Sequence, residues 1–306
     1  MFKFFVLAVA GTCGTAFAQT PASNPMPDGS RDMYIGLGVQ AVPRYEGAAG
    51  HRNAILPVLQ VAWSNGLFVS GMSAGMHWSP SPSVEYGPLI ALAPGRDASG
   101  NRLFRLATAG DSGADGSPPT TWLPSTGIGE GPVDSHPIDE NVPQSIEASN
   151  NRLEGMATIG RRVVYGGFAN VYMARQWRLT GNVLYGAGND RRGLRAVLSI
   201  QHLAQQLAPH HALSLSAGVS LVNRAYNQAY FGVTEYEAGH TMNLRYAPDG
   251  GLQDVRVAAR WNWALSPSWM LTTGMQASRL LGDAKRSPLV ERATNLSASS
   301  ALAYRF

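Results

Sequence analysis

Apolar and polar residues alternate along most of this chain with a period of two. In "YIGLGVQAV", Ile35, Leu37 and Val39 fall on one side and Gly36, Gly38 and Gln40 on the other. In "AILPVLQVAW" the apolar set is Ile55, Leu59, Val61 and Trp63. "ALSLSAGVSLV" sets Leu213, Leu215, Val219 and Leu221 against Ser214, Ser216, Gly218 and Ser220. "LRAVLSIQ", "VRVAARWNWAL", "WMLTTGMQAS" and the terminal "NLSASSALAYRF" repeat the theme. Such a period is that of β-strands with one apolar face. No segment shows a convincing helical period.

The runs extend for about ten to thirteen residues, whereas strands of soluble sandwiches are usually about five or six. A tilted strand needs about nine to eleven residues to cross a bilayer. The polar faces are rich in Gly, Ser and Arg rather than mixed surface charge, which suits a crowded barrel interior. A soluble β-sandwich is the alternative, and the strand length favours an antiparallel transmembrane β-barrel.

Barrels of this kind have an even strand count, short periplasmic turns and longer outer loops. Working back from a periplasmic C-terminus, "LSPSW", "LAPHH" and "ARQW" become periplasmic turns, and residues 282–293, about 224–251 and 187–192 become outer loops. Eleven segments are obvious, with "LFVSGMSAGMHW" counted as one of them. Taking "NRLFRLATA" as a twelfth, after a periplasmic "PGRDASG" turn, restores the parity and puts 110–152 outside. The expectation is twelve strands within residues 32–306. Tyr34, Trp63, Phe68, Trp177, Trp269 and Phe306 then fall near periplasmic strand ends, where amphipathic rings collect. Phe306, on a strand that runs to the last residue, would be read by the barrel-assembly machinery.

Composition adds an export signal. "MFKFFVLAVAGTCGTAFA" has a basic start, a short apolar stretch and Ala16-Phe17-Ala18, so residues 1–18 read as a signal peptide cut between Ala18 and Gln19. Residues 19–31, rich in Pro and Ser, read as a loose periplasmic leader. Cys13, the single cysteine, would be lost with the signal, excluding disulfides and thiolate metal sites from the mature chain.

Charge is unevenly distributed. The chain carries +4, yet residues 110–150 hold seven acidic residues and no Lys or Arg. That stretch reads as a solvated outer loop; "DSGADG" resembles the start of a calcium loop, but Gly113 and Trp122 stand at ligand positions. Arg178, Arg195, Arg256, Arg260 and Arg305 take the lumen-facing parity. They are either structural filling, paired with residues such as Glu85 and Asp254, or the lining of an anion-attracting pore. Nucleic-acid binding is not expected, because these charges line an interior. No HExxH helix accompanies the seven histidines; neither enzymatic activity nor a cofactor or metal is expected.

Several motifs point to a family. "LGVQAVPRYEG", "PGRD", "AYFGVTEYEAG", "RLLGDAKRSPLVE" and the final "YRF" resemble the MltA-interacting protein (MipA/OmpV-like) family of outer-membrane proteins over nearly all of the mature chain. The acidic segment 110–150 and "EGMATIGRR" depart from the family pattern. The resemblance implies a non-enzymatic outer-membrane barrel, bathed in outer-membrane lipid. It also implies a scaffold that brings a lytic transglycosylase and a bifunctional penicillin-binding protein together for murein synthesis and remodelling. A passive channel tied to envelope or osmotic stress is the alternative.

Overall fold

A computed structural model describes residues 31–81, 83–101, 151–174 and 176–306. The signal peptide, the leader up to residue 30, the "NRLFRLATA" segment beyond Asn101 and the acidic stretch lie outside the described residues.

The strands are β1 (Arg31–Pro43), β2 (His51–Trp63), β3 (Leu67–Ser70), β4 (Ser73–Met76), β5 (Trp78–Ser81), β6 (Val84–Ala93), β7 (Arg96–Asp97) and β8 (Gly100–Asn101). There follow β9 (Arg162–Ala174), β10 (Trp177–Ala187), β11 (Gly193–Ala208), β12 (His211–Val222), β13 (Gly251–Ala264), β14 (Trp269–Leu280) and β15 (Thr294–Arg305). Every pairing is antiparallel. The ring runs from β1 through β2, β3 and β4 to β6, then from β9 to β15, and closes where Tyr34–Ala41 pair with Arg305–Ala298. These segments fill twelve positions, because β5 continues the line of β4 alongside β6. The first strand thus pairs with the last, and a ring of this kind is how a sheet spans a membrane.

The alternation resolves as expected. Ile35, Leu37 and Val39 are 50%, 66% and 60% exposed on the outer wall, while Gly38, Gln40 and Val42 are buried. At the closing seam, Gly36 backs directly onto Leu302 and Ala303, so that a Cβ there would lie 2.0 Å from Leu302 O. Gly36→Val is therefore expected to leave the first and last strands unzipped, read as loss of the heat-modifiable compact band on unboiled gels.

The expected strand count holds, but through a different strand. "LFVSGMSAGMHW" is a hairpin: β3 turns at Gly71-Met72 into β4, with Gly71 at φ 56° and Ser73 Oγ donating to Ser70 O at 2.8 Å. The "PGRD" stretch sits at the outer end, not the periplasmic one, because β6 runs outward; Arg96 and Ile159 exchange backbone bonds of 2.8 and 2.7 Å there. The hairpin is short. β3 pairs with β2 only over Gln60–Ala62. Two prolines mark its flanks. Leu59 O accepts from Gly71 N, so Pro57, two residues away, aims its missing donor at the same side. Leu92 N donates to Met72 O, so Pro88 does likewise from β6. Proline is tolerated in a sheet where no ladder bond is asked of it.

Three short helices also appear where none was expected: α1 (Arg224–Phe231), α2 (Glu235–His240) and α3 (Gly282–Arg286), all in outer loops. With segments 44–50 and 151–161 they form a cap over the outer mouth. Its core is Tyr45, Ala48, Leu153, Met156, Val233 and Leu289. Phe231, Leu280 and Ala284 pack beside it. Ser287 Oγ donates to Phe231 O at 2.6 Å, and Tyr45 Oη donates to Leu289 O at 2.9 Å.

α2 begins with a capping box. Thr234 Oγ1 accepts the Glu237 N–H at 3.2 Å, and Glu237 Oε2 accepts the Thr234 N–H at 2.8 Å. Glu237 Oε1 accepts the Ala157 N–H at 3.0 Å, tying two loops together. Burial alone would push the Glu237 carboxyl up, but the N–H groups of Thr234 and Ala157, the Thr234 hydroxyl and the Arg96 charge outweigh it and hold it below the ordinary glutamate value. A carboxyl lowered by folding stabilises the cap above its unfolded value near pH ~4.3 and loses that contribution as pH falls through the folded value. Pepsin cleavage of the cap should therefore rise steeply as acidity passes below about pH 4, and Glu237→Gln should flatten that dependence.

Candidate functional site: the arginine-bearing lumen and the periplasmic rim

The arginines on the inward parity do not form one lining. They fall into three settings.

At the outer end, Arg195 of β11 and Arg256 of β13 converge on Asp254. Arg195 Nη2 lies 3.3 Å from Asp254 Oδ2, and Arg256 Nη2 lies 2.9 Å from Asp254 Oδ1. Arg195 Nη1 reaches Glu46 Oε1 at 3.4 Å, Gln253 Nε2 donates to Glu46 Oε2 at 2.7 Å, and the Arg195 guanidinium stacks over the Tyr226 ring at 5.8 Å. Two cations thus meet two carboxylates, and the group knits β11, β13, the first outer loop and α1 together. A β-bulge makes it possible: Ser220 pairs with Asp254 but Leu221 with Leu252, so Gln253 is an extra residue and both it and Asp254 turn inward.

At the periplasmic end, Arg305 Nε donates to Asp32 Oδ1 at 2.9 Å and its guanidinium covers the Tyr34 ring at 5.8 Å. Arg178, the second residue of β10, donates to Gln201 Oε1 at 2.6 Å and stacks over Tyr172 at 5.8 Å. Glu85 accepts from Asn170 Nδ2 at 2.9 Å and lies 3.8 Å from His77 Nδ1. Arg260 of β13 makes no hydrogen bond or ion pair with any described residue. It lines a cavity of about 80 Å³, which meets a second of about 50 Å³ at Arg256, Gln276 and Ser297.

The expected aromatic set divides in two. Trp63, Trp177, Trp269 and Phe306 stand exposed on the outside of the periplasmic strand ends. Trp269 meets Tyr304 edge-on at 5.1 Å, Tyr304 meets Phe306 at 4.9 Å, and the Phe306 N–H donates to Met33 O at 3.0 Å. Tyr34 and Phe68 are corrections. Tyr34, 4% exposed, shares the inward parity of Gly36 and Gly38, and packs with Val58, Ala301 and Ala303. Phe68, 7% exposed, meets Phe168 edge-on at 5.8 Å, in the room left by Gly75.

The periplasmic rim consists of short turns among the described residues: 64–66, 209–210 and 265–268. His210 takes φ 69°, and the adjacent His211 side chain stacks on Trp261 and Trp263, so the two histidines do not converge. One motif escaped the sequence reading: Gly71-Met72-Ser73-Ala74-Gly75 has G-x-S-x-G spacing. No helix follows Ser73, and its buried hydroxyl is engaged with Ser70 O, so it lacks the strand–turn–helix setting of a hydrolase elbow. Glu46, within the sequence motif "RYEG", is the lumen carboxylate that patterning missed, because it reaches the lumen from a loop.

The model of the MltA-interacting protein MipA family matches residues 35–306. No curated protein matches the chain. Among solved structures, the translocator domain of the autotransporter NalP from Neisseria meningitidis is 10% identical, with 92% of this chain and 90% of that one covered at a TM-score of 0.42. The N-terminal β-barrel domain of Pseudomonas aeruginosa OprF is 12% identical, over 47% of this chain and 87% of that one, at 0.23. At such scores neither bears on what this chain binds.

Proposed function

Since this chain belongs to the MltA-interacting protein MipA family, we propose that it is an outer-membrane anchor that gathers murein-remodelling enzymes at its periplasmic rim. The family match over residues 35–306 is the observation that carries this reading. A lytic transglycosylase and a bifunctional penicillin-binding protein are the proposed partners, and the barrel itself needs no catalytic group. A fixed wall in the membrane confines its guests to two dimensions and raises their effective concentration for one another. The short turns at 64–66, 209–210 and 265–268, together with the exported leader at 19–31, are the surfaces such partners would meet.

Cross-linked affinity capture from outer membranes tests this, with an unrelated barrel as control. Several-fold enrichment of a lytic transglycosylase is expected, and its absence would overturn the anchor reading. The passive-channel alternative is less favoured by the ion-paired cluster of Arg195, Arg256, Asp254 and Glu46, which fills the outer part of the lumen with side chains. In planar bilayers the anchor should pass no steady current; stable open-channel steps would reverse the preference.

A further inference from the structure

We propose that the central lumen holds a binding site for a small oxyanion of the phosphate type, with Arg260 as its principal ligand. This is independent of the anchor reading, which concerns the periplasmic rim.

The charge distribution in the lumen singles out Arg260. The outer pair, Arg195 and Arg256, is matched by Asp254 and Glu46, and Arg305 is matched by Asp32. Arg178 is fixed by Gln201 and Tyr172. Arg260 alone among these five has no hydrogen-bond or ion-pair partner among the described residues. It lines the 80 Å³ cavity, and no carboxylate is among the described residues that line that cavity. A guanidinium drawn away from bulk water asks for an anionic or hydrogen-bonding partner, and its planar fork suits two oxygens of an oxyanion.

Its surroundings are built for such a guest. Ser214 lies opposite Arg260 across β12 and β13; it is 3% exposed, lines the same cavity, and its hydroxyl has no partner among the described residues. A hydroxyl donor beside a guanidinium with no partner among the described residues is what a bound phosphate oxygen would take up. On the other side Arg260 faces Gly274 of β14, which has no side chain to fill the space above it. Ser199 and Gln201 complete the polar wall. The cavity has room for several waters, and so for one small oxyanion that displaces them.

Inorganic phosphate titrated into the folded, detergent-solubilised protein at constant ionic strength is the probe, followed by calorimetry and by phosphorus NMR line broadening. The wild-type protein is expected to bind phosphate saturably. Arg260→Gln should weaken binding at least tenfold, Ser214→Ala a few-fold, and Arg192→Gln, in an exposed outer loop, not at all. Heat-modifiable gel mobility checks that each variant is folded. Should Arg260→Gln fail to fold, Arg260→Lys retains the charge without the fork and should bind phosphate several-fold more weakly. No saturable binding by the wild-type protein, or equal binding by the folded Arg260 and Arg192 variants, would overturn the proposal.

Discussion

Replacing Asp254 with alanine should destabilise the barrel by about 3–5 kcal/mol, the cost of stranding a buried charge without its partner. Asp254 is the carboxylate to which Arg256 bonds, at 2.9 Å, and it also takes one arm of Arg195. Arg195 would retain Glu46 and the Tyr226 ring, so the larger part of the penalty falls on Arg256. Asp254→Asn keeps hydrogen-bond acceptance and should cost about half as much. The urea midpoint of the barrel refolded in lipid vesicles measures both. The double variant Asp254→Ala/Arg256→Met should recover most of the loss, since a buried ion pair replaced by apolar groups of similar size is often near neutral. A single-variant loss below about 1 kcal/mol would mean that water in the lumen already screens the cluster.

Phe231→Ala should have an effect of similar size but in another place. Phe231 is 1% exposed, and truncation of such a side chain costs about 3–5 kcal/mol through lost transfer energy and the cavity left behind. Its neighbours Leu280 and Ala284, and the Ser287 hydroxyl on its carbonyl, belong to the cap or to the last residue of β14. The expected result is therefore a split one: residues 223–250 become sensitive to trypsin at low protease concentration, while the barrel retains its heat-modifiable mobility. Equal resistance of variant and wild type would show that the cap does not depend on this ring.

The wall was legible because a membrane strand has two chemically distinct faces and little else. Leu213, Leu215 and Leu221 against Ser214 and Ser220 fix both the strand and its orientation from local information. The hairpin at Ser70–Ser73 was hidden because Phe68 and Gly75 continue a plausible alternation across the turn, and only Gly71 marks it. Helices of eight, six and five residues are too short for a 3.6-residue period to declare itself; Thr234-x-x-Glu237 was the one readable sign. Tyr34 and Phe68 were placed by height and not by parity, and parity decides which side of the wall a ring occupies. The interior site was half legible. Parity turned the arginines inward, but which of them would find a carboxylate depended on Glu46 arriving from a loop and on the bulge at Gln253. Neither leaves a trace in periodicity. The landmarks "AYFGVTEYEAG" and "RSPLVE", which suggested no chemistry, supply Phe231, Val233 and Leu289, all buried in the cap. Their role is packing.

The cap draws its core from residues as far apart in sequence as Tyr45, Leu153, Val233 and Leu289. The surface of this cap is consequently assembled from four stretches of chain and held in register by their shared interior. An immune system meeting this protein sees a discontinuous epitope. Antibodies raised against synthetic peptides from residues 223–250 would recognise the denatured chain better than the living cell, and antibodies raised against the folded barrel would lose their target on boiling.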